Sequence, residues 1–283
     1  MRLVVLGHGY SAGFLTRLLV PQGWTVTGTT RDDPARVAAA GAQPLLWPGD
    51  EAAIRTELAR ADAILVSAGP GPEGDPALRD FAEAIAASPA RWLGYLSTTG
   101  VYGDHGGGWV DETTPLTPST RRGHERVAAE AAWQRLAADH GLPLHIFRLA
   151  GIYGPGRGPF EKLRSGTARR IVKPGQVFSR IHAEDIAQVL TASIVRPDPG
   201  AIYNVCDDEP APPEQVLETA ATLLGVPVPP AEDYATAEMT PMARSFYAES
   251  KRVANDRIKR DLGVALRYPD HRAGLLALLA DEG

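Results

Sequence analysis

The sequence is long enough, at 283 residues, for one large domain or for a domain with a smaller lobe. Its net charge of −5 at pH 7 argues against a nucleic-acid partner, and its single cysteine, Cys206, excludes an internal disulfide and a cysteine-based metal site. No apolar run is long enough to cross a bilayer, and the first predicted strand begins at residue 2. We therefore expect a cytoplasmic protein with neither a membrane span nor a signal peptide.

The first predicted strand runs into a glycine-rich turn. Residues 2–6 are mainly apolar strand formers, residues 7–13 read GHGYSAG, and apolar side chains then recur at helical spacing. This order predicts the pyrophosphate-binding corner of a dinucleotide fold, although an ordinary turn between a strand and a helix is the alternative. The first glycine makes the tight turn, the second admits the pyrophosphate, and the amides that start the helix face the anion. The residues predicted to contact the cofactor here are Gly7, Gly9, Tyr10, Ser11, Ala12 and Gly13.

The end of the second predicted strand, over residues 25–29, indicates which dinucleotide binds. An Asp or Glu at this point would accept hydrogen bonds from the ribose hydroxyls and favour NAD. Thr30 and Arg31 stand there instead, and a guanidinium pairs well with the 2′-phosphate of NADP. The sequence therefore favours NADP over NAD, the alternative being that Arg31 is only a surface arginine before the next helix.

Strands and helices alternate from there to about residue 165, which predicts right-handed crossovers and a doubly wound parallel sheet. The fourth strand ends at Ser67 and Ala68, before a loop of glycine and proline. Ligands bind at this edge of such sheets, so both residues are predicted to contact the cofactor. Further strands are predicted over 44–47, 63–68, 92–97 and 144–149, and helices over 34–41, 51–60, 78–87 and 121–140.

The alternation then weakens, which predicts a second, smaller lobe. The predicted Rossmann domain covers 1–165, with about 181–205 returning to it, and the lobe is built from 154–180 and 206–283. The elements predicted in this half are a hairpin over 171–179, a helix from His182, a strand over 201–205, and helices over 213–224, 251–262 and 272–279. The predicted fold class is α/β, a Rossmann-type doubly wound parallel sheet with a smaller C-terminal substrate lobe.

Five segments, taken in order, resemble the short-chain dehydrogenase/reductase superfamily. The closest branch is the extended or atypical NAD-dependent epimerase/dehydratase group. The segments are the turn over 7–13, STTGVYG over 97–103, residues 112–118, residues 148–156, and RIHAEDIA over 180–187. The resemblance covers nearly the whole chain and implies an NAD(P)-binding Rossmann fold with a small-molecule substrate.

The resemblance also implies a catalytic Ser or Thr, a Tyr and a Lys. Thr98 falls on the Ser/Thr position, but Arg122 and Arg126 stand where the Tyr-x-x-x-Lys motif should be. An arginine stays protonated, so Arg122 cannot act as the acid/base, whereas Arg126 can still hold ribose hydroxyls of the cofactor. Tyr102 and Tyr153 lie on loops predicted at the same sheet edge. One of them is a candidate substitute acid with its pKa lowered by these arginines, and the alternative is that both only pack in their loops.

Two functions follow from this sequence. The first is an NADP-dependent (or NAD-dependent) oxidoreductase or epimerase acting on a polar small molecule such as a sugar derivative. The second is a catalytically inactive NAD(P)-binding regulator or scaffold, which the two arginines favour. The helix over 121–140, which carries Trp133, is a candidate homodimer interface, although its residues can equally face their own sheet.

Overall fold

A computed structural model describes residues 1–280, so the last three residues of the predicted lobe, 281–283, lie outside the described residues. The strands are β1 (Arg2–Leu6), β2 (Thr25–Thr30), β3 (Gln43–Leu46), β4 (Ala63–Val66), β5 (Trp92–Thr98), β6 (Trp109–Val110), β7 (Leu144–Leu149), β8 (Gly151–Tyr153), β9 (Arg170–Val172), β10 (Arg180–His182), β11 (Ile202–Val205), β12 (Ala231–Asp233) and β13 (Arg252–Val253). The α-helices are α1 (Tyr10–Leu19), α2 (Pro34–Ala39), α3 (Glu51–Leu58), α4 (Pro76–Ala86), α5 (Arg121–His140), α6 (Phe160–Arg164), α7 (Ala183–Val195), α8 (Pro213–Leu224), α9 (Pro241–Phe246), α10 (Asp256–Arg260) and α11 (His271–Ala280). Two short 3₁₀ helices cover Val20–Gln22 and Thr99–Tyr102.

Seven parallel strands form the central sheet in the order β11-β7-β5-β4-β1-β2-β3. The apolar runs of the sequence are buried on both faces, as a parallel sheet between helices requires. Leu3 and Val5 of β1 pack on the face with α1 and α7, whereas Val4 and Leu6 pack on the face with α3, α4 and α5. The predicted Rossmann-type α/β class is confirmed.

The strand order alone predicts where a ligand-binding crevice lies. The chain moves outward in one direction from β1 to β3, then crosses back and continues from β4 in the other direction. Ligands of open α/β sheets bind where the order reverses, outside the carboxyl ends of the strands. In this sheet the reversal lies between β1 and β4, at the end of β1 where the glycine-rich turn begins.

Helix α5 has the predicted bounds, and both of its ends are capped. The Thr120 side chain accepts a hydrogen bond from the Gly123 amide at 3.1 Å, and Gly141 ends the helix with φ of +66°. Trp133 is fully buried, with its ring 5.7 Å from that of Tyr95 on β5. The tryptophan therefore stabilises its own sheet and contributes no dimer surface, and the homodimer stays a prediction.

Two elements predicted in the second half are wrong. The hairpin over 171–179 does not form, because β9 pairs in parallel with β12, and Phe178 makes only an isolated bridge to Ala211. The helix predicted over 251–262 is limited to α10, because Arg252 and Val253 form a strand that pairs with β6. In both places the backbone pairs with a segment far along the chain, whereas the local sequence pattern predicts hydrogen bonds within the same segment.

In the second half of the chain, helix α7 packs on α1, and β11 is the edge strand of the main sheet. The other segments of this half form a smaller layer beside the sheet. Apolar side chains from α6, α8 and α11 gather in a separate cluster that includes Tyr153, Phe160 and Leu275. Within residues 1–280, no helix is long and apolar enough to cross a membrane.

Candidate dinucleotide and substrate site

The glycine-rich turn lies at the reversal point of the sheet and leaves space above its second glycine. Gly7 has φ of +86°, and a Cβ there would lie 2.6 Å from the backbone nitrogen of Ala68, so only glycine fits. Gly9 has φ of −94°, an ordinary value, and a Cβ there would meet nothing closer than the Gly7 carbonyl oxygen at 3.9 Å. The fold therefore requires Gly7, whereas the space over Gly9 is open to a ligand.

The first turn of α1 supplies the amides for an anion. Gly9 precedes this helix and has no side chain to cap it, and the first turn carries no acidic residue. The free amides and the positive end of the helix dipole favour a phosphate at this point. Ser11, Ala12 and Gly13 are buried, with Ala12 in the core on the α1 face of the sheet. The Tyr10 hydroxyl donates a hydrogen bond to the carbonyl oxygen of Pro155 at 2.9 Å, which ties α1 to the loop after β8.

A buried histidine, His8, holds the turn in place, and no sequence pattern points to this role. The His8 amide donates to the Thr29 carbonyl oxygen at 2.7 Å, and its Nε2 lies 2.8 Å from Thr16 Oγ1. The ring fills the space over Gly28, where a Cβ would come within 2.6 Å of it. Burial lowers the pKa of His8 to about 4, so the imidazole is neutral at pH 7 and fixes the turn without adding charge.

Two arginines lie where the adenosine ribose is expected. Arg31 follows β2 directly, is exposed, and makes no hydrogen bond or ion pair within the described part of the chain. Arg36 on α2 was missed in the sequence; its Nη1 donates to the His8 carbonyl oxygen at 2.8 Å, and its Nε lies 3.3 Å from an Asp33 oxygen. Thr30 Oγ1 accepts a weak hydrogen bond from the Asp33 amide at 3.3 Å. The site thus offers one unpaired guanidinium, Arg31, at the position predicted for a 2′-phosphate contact.

The other wall of the crevice follows β4. The amides of Ser67 and Ala68 both donate to the Leu6 carbonyl oxygen, at 2.9 and 3.0 Å, so this segment lies against the end of β1. Arg126 reaches it from α5: its Nη1 donates to the Leu96 carbonyl oxygen at 2.7 Å, and its Nη2 is 3.6 Å from where a Cβ on Gly69 would be. The guanidinium lies at the carboxyl edge of the sheet, where the resemblance implies a contact with the ribose.

Thr98 ends β5 at the same edge and keeps a hydrogen-bond donor for a ligand. Its side chain is partly exposed, and its Oγ1 accepts a hydrogen bond from the Gly100 amide at 3.2 Å. Because the amide uses the oxygen as an acceptor, the hydroxyl proton can be donated outward. Arg122, in the first turn of α5, is exposed and makes no hydrogen bond or ion pair with any residue the structure describes.

Tyr102 lies inside the protein, not in the crevice. Its side chain is fully buried, its hydroxyl donates to Asn204 Oδ1 at 2.7 Å, and it accepts from Arg148 Nη1 at 2.9 Å. Burial raises the pKa of Tyr102 to about 12, against the smaller opposing effect of Arg148. The expectation that Arg122 or Arg126 would lower the pKa of this phenol is wrong, because burial dominates and the arginine in contact is Arg148.

Around Tyr102 lies a buried polar network that sequence patterns did not indicate. Glu130 of α5 and Arg148 of β7 form a two-point ion pair, with N–O distances of 2.8 and 3.2 Å, and both side chains are at most 4% exposed. The Ser97 hydroxyl also bonds to Glu130. Since Ser97 immediately precedes Thr98 on β5, the network fixes the end of the strand that carries Thr98.

Tyr153 packs against α11. Its hydroxyl makes a long hydrogen bond of 3.3 Å to the Asp270 carbonyl oxygen, and a Cβ on Gly274 would lie only 2.1 Å from that hydroxyl. Burial raises the pKa of this phenol as well, so the expected lowering is also wrong here. The next residue, Gly154, lies against Tyr10, since a Cβ on it would be 2.6 Å from the Tyr10 hydroxyl. Tyr153 and Gly154 therefore connect the interior of the smaller layer with the first turn of α1.

A cavity of about 720 Å³ opens on the other side of Tyr153. Its walls are formed by residues from the loop after β8, from β9 and β10, and from α8, α9 and α11. Aliphatic side chains alternate there with Lys162, Arg169, Arg180 and Glu214. The cavity is open to solvent on one side and offers space in which a second ligand can bind. In the described part of the chain, no group of three or more metal-binding side chains is brought together.

Comparison with known proteins was made on the sequence and on the fold. Residues 77–206 match the model of the NAD dependent epimerase/dehydratase family. Protein YeeZ of Escherichia coli K12 is 29% identical over 289 residues, covering 95% of this chain and 97% of its own. A 3-diazoavenalumate denitrifying reductase of a Streptomyces species is 30% identical over 208 residues, covering 68% of this chain and 66% of its own.

Two solved structures have a fold similar to that of this chain. A functionally unknown conserved protein from Silicibacter pomeroyi is 60% identical, with a TM-score of 0.94 over 99% of this chain and 98% of that chain. The human epimerase family protein SDR39U1, solved with NADPH, is 20% identical, with a TM-score of 0.79 over 99% of this chain and 100% of that chain. The second similarity concerns the fold alone.

Proposed function

We propose that this chain, which matches the model of the NAD dependent epimerase/dehydratase family over residues 77–206, is an oxidoreductase using NADP to reduce or oxidise a small molecule held at Thr98. The observation that carries the proposal is the glycine-rich turn at the reversal point of the sheet, with open space above Gly9. The similarity to a protein named as a reductase favours redox turnover over epimerisation.

The residues at this edge of the sheet fit a nicotinamide dinucleotide. The amides after Gly9 would hold the pyrophosphate, Arg31 the 2′-phosphate, and Arg126 the ribose beside the nicotinamide. When bound, the nicotinamide supplies or accepts the hydride. Thr98 donates its hydroxyl proton in a hydrogen bond to the substrate oxygen and so orients the reacting carbon. Because Tyr102 and Tyr153 are both buried and engaged, we assign the proton of the redox step to water.

The choice between NADP and NAD is tested at Arg31. We expect Arg31→Asp to weaken NADP binding relative to NAD by about tenfold or more, because a charge-assisted contact to the 2′-phosphate is lost and a like charge is introduced. Fluorescence titration with NADPH and NADH measures both affinities. Arg91→Asp is the matched control: it makes the same charge change at an exposed arginine before β5, at the opposite edge of the sheet. If the two variants behave alike, Arg31 does not select the cofactor.

Turnover is tested at Thr98. NADPH oxidation with a panel of carbonyl substrates should reveal activity, and Thr98→Ala should lower kcat/KM by about a hundredfold or more, the usual loss for one such hydrogen-bond donor. Thr98→Ser keeps the hydroxyl and should retain most of the rate, while Thr99→Ala serves as the neighbouring control. Full activity in Thr98→Ala would remove Thr98 from the reaction.

A cofactor-binding protein without turnover is the second candidate. It is favoured by Arg122 and Arg126 at the positions of the family's Tyr and Lys, and by the burial of Tyr102 and Tyr153. Under this function NADPH still raises the melting temperature, because binding to the folded state stabilises it. The two candidates separate in one experiment: the chain binds NADPH in both, but only the oxidoreductase consumes it.

A further inference from the structure

The cavity beside Tyr153 contains a guanidinium with one open edge. Arg180 starts β10 and lines this cavity. Its Nη1 donates to the carbonyl oxygens of Phe178 at 3.0 Å and Ala211 at 2.9 Å. These two contacts use both Nη1 protons, so Nε–H and the two protons of Nη2 have no hydrogen-bond partner within residues 1–280. That edge is the planar fork that binds a carboxylate through two parallel hydrogen bonds.

No carboxylate within residues 1–280 pairs with this fork. Arg180 forms no ion pair in the described part of the chain, and Asp207 and Glu214 are the acids whose charge acts on it. Burial raises the pKa of Asp207 to about 8 against the opposing effect of Arg180, which favours the neutral acid at pH 7. Glu214 lines the cavity as well, with one buried oxygen that lacks a partner. Arg180 thus keeps most of its charge for a ligand.

The charges on the cavity wall leave a surplus of one positive charge. Lys162 and Arg180 have no carboxylate partner in the described chain, whereas Arg169 is paired with Glu232. Glu214 contributes one negative charge, and burial lowers the pKa of His271, which leaves its imidazole neutral at pH 7. Two unpaired cations against one carboxylate favour a monoanionic ligand over a diphosphate.

Much of the remaining wall is apolar, although Thr167, Thr240 and Tyr247 also line it. Ile171, Val216, Leu217 and Leu275 line the cavity, and none of them can form hydrogen bonds to a ligand. The hydroxyl groups of a sugar would lose their water against these four aliphatic side chains, which is costly for each group that gains no partner. An apolar ligand body instead gains about 25 cal/mol for each Å² that it buries. The aliphatic part of the wall therefore favours an apolar ligand body over the sugar derivative that the sequence predicts as a substrate.

We propose that this cavity binds a monocarboxylate with an apolar body, with its carboxylate on the open edge of Arg180 and its body against the aliphatic wall. The binding of such a ligand does not depend on the oxidoreductase function. Only the statement that this ligand is the substrate rests on that proposed function, which it deepens. The cavity abuts the cofactor crevice through Tyr153 and Gly154, since Gly154 lies against Tyr10 in the first turn of α1.

The test measures ligand binding, not turnover, so it is independent of catalysis. Isothermal titration of the full chain, saturated with NADP⁺, is carried out with 4-phenylbutyrate, with its neutral amide and with UDP-glucose. We expect 4-phenylbutyrate to bind and the amide to bind about tenfold more weakly or worse, because the charge-assisted contact to Arg180 is lost. Arg180→Met should abolish the difference between the acid and the amide. Equal binding of acid and amide, binding of UDP-glucose alone, or no binding of any probe would each overturn the proposal.

Control variants separate recognition from folding. Arg180 also holds two carbonyl groups, so Arg180→Lys is included: it keeps the charge but not the planar fork, and it should still favour the acid by a smaller factor. Arg169→Met removes a cation of the same cavity that Glu232 already pairs, and the acid should bind as in the unaltered chain. An equal loss in Arg169→Met and Arg180→Met would show general charge attraction and overturn the assignment to Arg180. A chain that binds 4-phenylbutyrate but never oxidises NADPH would refute the oxidoreductase while leaving the carboxylate site intact.

Discussion

Gly9→Val is expected to abolish dinucleotide binding without unfolding the protein. Nothing in the folded chain lies within 3.4 Å of the position of a Cβ on Gly9, and its φ of −94° suits any residue. The valine side chain would occupy the space of the pyrophosphate and keep it from the amides of α1. If two charge-assisted hydrogen bonds between these amides and the pyrophosphate are lost, the binding free energy falls by about 3 kcal/mol or more, which is a hundredfold or more in affinity. Fluorescence titration with NADPH measures the loss.

The neighbouring glycine provides the contrast. Gly7→Ala places a Cβ 2.6 Å from the backbone of Ala68 at a φ of +86°, so it should destabilise the fold whether or not cofactor is present. Gly9→Val should change the free energy of unfolding without cofactor by no more than about 1 kcal/mol, the cost of a poorer helix cap. NADPH should raise the melting temperature of the unaltered chain and leave that of Gly9→Val unchanged. Wild-type affinity in Gly9→Val would mean that the dinucleotide does not lie on this turn.

Arg148→Met is expected to destabilise the protein by about 3–5 kcal/mol, the usual cost of leaving one buried charge without its partner. Arg148 makes two contacts with Glu130 and one with Tyr102, and its side chain is 4% exposed. Methionine removes the charge and leaves the Glu130 carboxylate without a cation. Urea denaturation monitored by circular dichroism gives the free energy of unfolding, and the slope of the transition shows whether the unfolded state has changed.

Two controls make this result specific. Arg121→Met removes an ion pair with Glu125 at the start of α5, where the arginine is 79% exposed, and the loss should be below about 0.5 kcal/mol. Replacing both Arg148 and Glu130 by methionine removes the unpaired charge and should recover part of the stability. If Arg148→Met lies within 1 kcal/mol of the wild type, the buried pair does not stabilise the fold as described.

The main sheet could be predicted because its strands are defined by local signals. The central strands β1 and β4 are buried on both faces and are therefore apolar runs, with Gly7 and Gly69 close behind their ends. Helix α5 was predicted to the residue because Thr120 and Gly141 mark its ends. The smaller layer has no such signals: β9 and β12 have three residues each, and Lys251 donates to the Gly103 carbonyl oxygen instead of starting a helix. Strands as short as these leave no recognisable apolar run in the sequence.

The candidate site is also only partly predictable from the sequence. The glycine-rich turn, Thr98 and Arg31 follow from position alone, because each lies at or just after the carboxyl end of a strand. The surroundings of Tyr102 depend on Arg148 and Asn204, which are 46 and 102 residues away, so the sequence could not show that its hydroxyl is fully engaged. Arg36 was missed because its partner is a backbone carbonyl of the turn, and a backbone partner has no signature in the sequence.

The sequence resemblance predicts that Arg122 stands at the tyrosine position of the motif, and the described fold makes no hydrogen bond or ion pair with its exposed side chain. Its identity can therefore change at little cost to stability. In evolutionary terms, this position is uncoupled from the part of the scaffold that the structure describes. Selection can therefore replace the residue here while the sheet and the glycine-rich turn persist.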